Sequence, residues 1–251
     1  MIQKPDGYTD REPASELDLL SRIHGRFKGA GEVMPSAQRD IYLNLVKVLA
    51  QSTAKKYGFP KHINKSTIVD VGCGCGIGTN LLSREAQFAW GIDNNDESIC
   101  YARQMFERPV QQNIYYTSQV TFDTIDILSD SREFMQFDFV ACIEVIEHLP
   151  REKADDLLRA LRRFVKKDKR GNWESGEDRT VVYLSTPNRL NPRLGKDTPI
   201  NPHHCYEMTP SEAYTLFTRH FKAVTVLNKD FELRELNTED SPLVYKLEMP
   251  L

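Results

Sequence analysis

The chain has 251 residues, 40% of them apolar and 27% charged, enough for one α/β domain with additions and a sizeable core. With 33 basic and 36 acidic residues its formal net charge is −3, which carries no global signal for nucleic acid or an anionic membrane, although a local basic patch stays compatible with it. No uninterrupted apolar run approaches the roughly 20 residues of a membrane-spanning helix, so no membrane partner is expected.

In chain order, residues 1–13 read as a poorly ordered lead-in rich in Pro, Gly, Asp and Thr. "MIQKPDGYTD" has no apolar segment behind its lysine, so a secretory signal is not expected. The five cysteines, an odd number with no CxxC pair, point to free thiols in a reducing, cytoplasmic setting. Leu17, Leu20, Ile23 and Phe27 recur at helical steps and predict an amphipathic helix over 14–27. A glycine-rich break at 28–35 follows. Ser36 is placed to cap a longer helix through Tyr57, with Ile41, Leu45, Val48 and Leu49 on its apolar side. Residues 1–66 are read as an N-terminal helical cap. Gly25, Gly29 and Gly31 could let it move as a lid, and a static packed segment is equally compatible.

From residue 67 to 251 the texture alternates short apolar runs with helical patterns. "TIVDVG", "FAWGID" (88–93), "QVTFDTIDI", "FDFVACIEV" (137–145) and "TVVYLSTP" (180–187) are the first five strands. Helices are predicted over "GTNLLSREA", "ESICYARQMF", "REKADDLLRALRRFVKK" and, after an irregular segment to about 209, "PSEAYTLFTRHF". Two closing strands fall near 223–228 and 243–248. This alternation implies a seven-stranded, mostly parallel sheet with helices on both faces. The last two strands, with no helix between them, imply an antiparallel C-terminal hairpin at its edge. The densely charged stretch 166–179 reads as a solvated loop, and Trp90 and Tyr183 as core residues.

The first strand runs into "IVDVGCGCGIGTNLL", residues 68–82. A glycine-rich turn after a strand lets the backbone approach a ligand closely. Position 77 is Ile, so the dinucleotide fingerprint G-x-G-x-x-G fails. Cys73 and Cys75 are poorly placed to bridge each other, and no further soft ligands stand at a zinc spacing.

The run "DVGCGCG", an acidic residue, an apolar residue and G-x-G-x-G, resembles the first motif of the class I S-adenosylmethionine-dependent methyltransferases. The resemblance covers residues 67 to about 228 and implies a Rossmann-like fold with S-adenosyl-L-methionine as cofactor. It assigns Asp70, Gly72, Cys73, Gly74 and Gly76 to the cofactor turn, with both cysteines as small fillers. "GIDNN" places Asp93 and Asn94 where the ribose hydroxyls would be held. "DTIDIL" places Asp126 and Ile127 where this family brackets the adenine. "FDFVACIEVIEHL" puts Glu144 at the cofactor-facing end of the fourth strand.

A second layer of resemblance lies in "EVIEHLP", "LSTPNR" and "NPHHCYEMTPSEA". The texture is similar to methyltransferases of bacterial glycan and sugar modification, and "EVIEH" is shared with ubiquinone-pathway O-methyltransferases. Small-RNA terminal 2′-O-methyltransferases also share E-x-x-E-H and a later His. That branch implies a divalent metal on Glu144, Glu147, His148 and His204, and the ligand types suit Mg, Mn, Fe or Zn. Cys205 after His203–His204 departs from the RNA branch, which usually has a basic residue there. Where relatives hold no metal, His148, with Glu147 beside it, is the candidate general base. Arg189 is placed to meet an anionic acceptor or to lie on the surface. The expected activity is O-methylation of a sugar or other small hydroxylated acceptor. The alternatives are an RNA 3′-terminal 2′-hydroxyl, for which nucleic acid is not the favoured partner, and a non-catalytic cofactor-binding subunit.

Overall fold

The computed structural model describes residues 34–57, 66–107, 119–176, 179–194 and 198–251. The predicted helix over 14–27 and the candidate hinges Gly25, Gly29 and Gly31 lie outside the described residues. The strands are β1 (Thr67–Val71), β2 (Phe88–Asp93), β3 (Gln119–Thr124), β4 (Phe139–Ile143), β5 (Val181–Thr186), β6 (Phe221–Asn228) and β7 (Leu243–Pro250). The helices are α1 (Ser36–Tyr57), α2 (Ile77–Leu82), α3 (Asp96–Phe106), α4 (Ala154–Leu161) and α5 (Pro210–Phe217).

The seven strands form one sheet in the order β3-β2-β1-β4-β5-β7-β6. β1 to β5 pair in parallel, whereas β7 runs antiparallel to both its neighbours. The expected C-terminal hairpin is present, but β7 enters between β5 and β6, leaving β6 as the edge. Burial explains the choice: β7 is buried at nearly every position, while β6 exposes Lys222 and only partly buries its centre.

β4 illustrates how the sheet makes two cores. Phe139, Ala141 and Ile143 face a cluster with Ile41, Tyr42, Leu45 and Leu49 of α1, while Val140 and Cys142 face Leu157, Leu158 and Leu161 of α4 and Phe217 of α5. Successive strand side chains point to opposite faces, so an uninterrupted apolar run is what a doubly covered strand requires. α1 is thus built into one face of the sheet. Among the described residues, no helix is long and apolar enough to cross a membrane.

Local signals set the helix ends. Asn95 caps α3 by accepting the Ser98 N–H at 3.0 Å, with Asp96 and Glu97 in the first turn. α5 starts with a capping box of Thr209 and Glu212 around Pro210. The predicted helix over 151–167 is shorter, with α4 flanked by single 3₁₀ turns. Its end is captured by the sheet: the Phe164 carbonyl accepts the Phe137 N–H at 2.9 Å, and Val165 bridges Phe137. The charged stretch that follows turns on Asp168, whose Oδ1 accepts the backbone N–H groups of Arg170 and Asn172 at 2.8 and 2.9 Å. Tyr183 is buried, and the Trp90 indole donates to Asp123 at 2.7 Å.

Gly91 in β2 has no room for a side chain: a Cβ there would lie 2.5 Å from the Phe122 ring and 2.9 Å from Thr79 Oγ1. Gly91→Ala should therefore destabilise the fold by about 1–3 kcal/mol through overpacking. Urea unfolding checks this; a midpoint equal to the parent's would show that Phe122 yields freely.

Candidate active site

The strand order reverses between β1 and β4, the position where open α/β sheets bind ligands beyond their carboxyl ends. There the chain leaves β1 through Gly72, Gly74 and Gly76, all with positive φ (72°, 50° and 78°). The N–H groups of Gly72 and Cys73 both reach the Ile92 carbonyl at the end of β2, at 2.8 and 3.1 Å. A Cβ on Gly72 would lie 2.5 Å from Val145, just beyond β4, so left-handed backbone and close approach both select glycine. Cys73 and Cys75 are buried and unbridged, and Cys73 packs with Ile99, Ala102, Val120 and Phe122.

The predicted cofactor residues fall around one cavity of about 660 Å³. Gly72, Cys73, Asp93, Asn94, Asp126, Ile127 and Glu144 all line it. Asp93 holds the turn: its Oδ2 accepts the Gly74 N–H at 2.9 Å and its Oδ1 the Asn95 N–H at 2.8 Å. A carboxylate offers about four lone-pair sites, so two remain for a ligand. Asp126 is exposed and accepts the Leu128 N–H at 3.0 Å, while Ile127 is buried beside it.

Asp70 is 0% exposed and stands behind the turn, outside the cavity lining. Its carboxylate accepts the Thr79 hydroxyl at 2.7 Å and the Tyr42 hydroxyl at 3.1 Å. Burial pushes its pKa up to about 7, against the lowering effect of Thr79 and Tyr42, with Asp93 adding to the rise.

Glu144 follows β4 with φ at 57°, an uncommon conformation for a residue with a side chain. Ser185 holds it there: its Oγ accepts the Glu144 N–H at 3.0 Å and donates to Oε1 at 2.7 Å. Burial raises the Glu144 pKa to about 7, opposed by Ser185 and reinforced by Glu207.

The structure brings three of the four candidate metal ligands together. Ligand atoms of Glu147, His148 and His204 lie within 4.8 Å of one another, and Glu144 stands outside this trio. The 3₁₀ turn Ile146–His148 presents Glu147 and His148, and the loop before α5 brings in His204, whose ring meets His148 edge-on at 4.9 Å. His148 Nδ1 donates to the His203 carbonyl at 3.0 Å, leaving Nε2 as the acceptor nitrogen. His204 Nδ1 donates to Glu207 Oε1 at 2.8 Å. Asn201 takes the His203 N–H on its oxygen at 3.0 Å, so its amide NH₂ faces His204 Nε2 at 2.9 Å. A metal at that nitrogen would displace the amide. Burial, then the neighbouring His204, lowers the His148 pKa and favours the neutral ring.

Glu147 is 1% exposed, and neither of its carboxylate oxygens has a hydrogen-bond partner. Burial first, and the charge of Glu144 second, push its pKa well up; the Thr186 hydroxyl opposes this from outside hydrogen-bonding geometry. An orphaned buried carboxylate facing two imidazoles fits a divalent cation. Glu207, 4% exposed, orients His204 as a carboxylate behind a metal-ligating histidine does.

Tyr42, Thr79, Ser185, Asn201 and Glu207 were not singled out from the sequence. Asn201 and Glu207 lie inside the quoted "NPHHCYE" pattern, which was the available signal. Tyr42 and Thr79 carry no motif, since only packing brings them to Asp70. Arg189 pairs with Glu212 at 2.7 Å and does not line the cavity.

Residues 68–168 match the family model described as a methyltransferase domain. A probable S-adenosylmethionine-dependent methyltransferase of Mycobacterium tuberculosis is 27% identical over 151 residues, 59% of this chain and 46% of that protein. The ubiquinone biosynthesis O-methyltransferase of Coxiella burnetii is 32% identical over 83 residues, 33% of this chain and 32% of that protein. The chain thus matches less than half the length of these curated relatives. Among solved structures, the small RNA methyltransferase HEN1 aligns with 98% of this chain and 27% of its own at a TM-score of 0.61 and 20% identity. Magnesium protoporphyrin IX methyltransferase from Synechocystis PCC 6803, with bound S-adenosylmethionine, aligns with 94% of this chain and 92% of its own at 0.55 and 16%. At these identities the likeness is one of fold.

The raised pKa of Asp70 makes a stability prediction. Its folded value of about 7 exceeds the ordinary aspartate value of 3.8, so between them the folded state binds more protons than the unfolded one. Stability from this group is therefore fullest at low pH and is lost as pH rises towards 7. The ligand-free protein should melt at a lower temperature at pH 8 than at pH 5.5, and Asp70→Asn should flatten part of that slope. Parallel slopes for parent and variant would refute the assignment. Glu144 titrates in the same direction, so the difference between the two proteins isolates Asp70.

Proposed function

We propose that this chain, which belongs to the class I S-adenosylmethionine-dependent methyltransferases, methylates a hydroxyl oxygen of a small uncharged acceptor, a sugar foremost. The observation that carries the oxygen acceptor is the buried, partnerless Glu147 carboxylate gathered with His148 and His204, the two histidines lining the cavity. A hydroxyl must lose its proton as it attacks, and this cluster is where such a proton can be managed.

S-adenosylmethionine supplies an electrophilic methyl group on a sulfonium. The spare lone pairs of Asp93 would suit its ribose hydroxyls, Asp126 and Ile127 would flank the adenine, and the glycine turn would leave space for the methionine portion. Without an ion, His148 presents a neutral Nε2 able to accept the acceptor's proton; with one, that nitrogen is its ligand atom. A divalent ion on Glu147, His148 and His204 would supply Lewis-acid polarisation of the acceptor hydroxyl. Glu147 would contribute charge to that ion, while Glu207 would keep His204 in one orientation. Holding acceptor and cofactor in line contributes through proximity.

The cavity favours an uncharged acceptor over RNA. Among the described residues its lining includes Asp93, Asp126 and Glu144 but no Lys or Arg, so nothing there meets a phosphate. Transfer of labelled methyl to a panel of sugars and small hydroxylated compounds, run beside single-stranded RNA, tests this. RNA binding with a steep salt dependence would favour the 2′-hydroxyl reading, and transfer to no acceptor would favour a non-catalytic subunit.

Two measurements probe the halves of the site. Asp93→Ala should weaken S-adenosylhomocysteine binding by about 1.5–3 kcal/mol, the cost of losing hydrogen bonds to a charged group. Isothermal calorimetry reads this directly, and unchanged affinity would refute the ribose assignment. Elemental analysis should find a divalent metal that is lost in His204→Ala, and chelation should depress turnover while S-adenosylhomocysteine affinity stays within about twofold. Full turnover after exhaustive chelation would leave His148 as the base alone. Activity would then be lost in His148→Ala and kept in His204→Ala.

A further inference from the structure

Three elements meet on the Asp70 carboxylate: it ends β1, accepts Thr79 from the first turns of α2, and accepts Tyr42 from α1. Tyr42 is 2% exposed, and its hydroxyl lies 3.1 and 3.4 Å from the two Asp70 oxygens. Its ring covers Gly78, where an added Cβ would lie 2.1 Å from Tyr42 Cζ. The same stretch of chain lines the cavity through Met34, Gln38 and Tyr42 itself. On its other side α1 is held by Asp40 to Lys229 at 3.1 Å and by Asn44 to the Lys229 carbonyl at 3.0 Å.

We propose that Tyr42 is a positioning residue for the cofactor, its hydroxyl locking the glycine turn and the α1 wall into one arrangement through Asp70. This rests on the cofactor reading above. Asp70 does not line the cavity and so acts on a ligand only through the turn it braces. Its two side-chain donors come from different helices, so the loss of either frees β1, the turn and one helix to shift relative to one another. Thr79 ties the turn to α2, next in sequence. Tyr42 ties it to a helix 28 residues away in sequence whose start lines the same cavity. An acidic group with no basic side chain paired to it among the described residues depends on these two hydroxyls for its orientation, and burial makes each of them count.

Tyr42→Phe keeps the ring over Gly78 and deletes only the bond to Asp70. S-adenosylhomocysteine should bind roughly three- to tenfold more weakly, as expected for one hydrogen bond. Thr79→Val should give the same selective loss from the other donor. Leu49→Val, a change elsewhere in the same helix's buried face, is the structural control and should leave affinity within about twofold. In the parent, added S-adenosylhomocysteine should slow hydrogen exchange in both 36–49 and 72–79, and Tyr42→Phe should uncouple the first segment. Affinity within twofold of the parent in both hydroxyl variants overturns the proposal. So does an equal loss in Leu49→Val, which would make the effect one of helix stability. If the parent itself fails to bind S-adenosylhomocysteine, the cofactor reading falls and this inference with it.

Discussion

The site depends on a reversal of the chain made in very little space. β1 must pass into α2 while the ends of β2 and β4 close in from either side. The Ile92 carbonyl draws two amides of the turn towards β2, and Val145 leaves no room for a side chain on Gly72. Left-handed backbone at three glycines is the only way to satisfy both. Once the turn is set, Asp93 is fixed by its bonds to Gly74 and Asn95, and the floor of the cavity is defined. The small cysteines between the glycines fill the space the turn leaves behind it.

Electrostatics divide the cavity into two regions with one need. At one end Asp93 and Asp126 present carboxylates to the open space; at the other Glu144, His148 and His204 line it, with Glu147 and Glu207 buried behind them. Burial and mutual repulsion both act against charge on Glu144 and Glu147. A wall built from carboxylates with no Lys or Arg in its described lining suits a cationic ligand such as a sulfonium cofactor.

Rigidity comes from hydrogen bonds that hold the site residues in place from behind. Ser185 holds Glu144 in a left-handed conformation, Glu207 and the His203 carbonyl set the histidine tautomers, and Tyr42 and Thr79 brace Asp70. The Ser185, His203 and Tyr42 contacts join segments 41, 55 and 28 residues apart in the chain, while those of Glu207 and Thr79 are local. Preorganisation of this kind lets the reacting groups meet without reorganising at the moment of transfer.

The order of elements, the glycine turn and the Glu147–His148 pair were legible in the sequence because each rests on a local rule, whereas His204 was named only by resemblance. Apolar runs alternating with helical periods specify a parallel sheet, G-x-G-x-G specifies left-handed backbone, and E-x-x-E-H places its side chains within one turn. What the tertiary structure decided was everything that depends on strand order and side-chain direction. It inserted β7 between β5 and β6, turned Asp70 away from the cavity into α1, and set Glu144 apart from the trio that His204 completes. It also ended α4 early, because the Phe164 carbonyl bonds to the chain entering β4. Sequence periodicity reports which face of an element is apolar but not which neighbour will cover it. That neighbour is chosen only when the whole sheet is assembled and its buried polar groups find their partners.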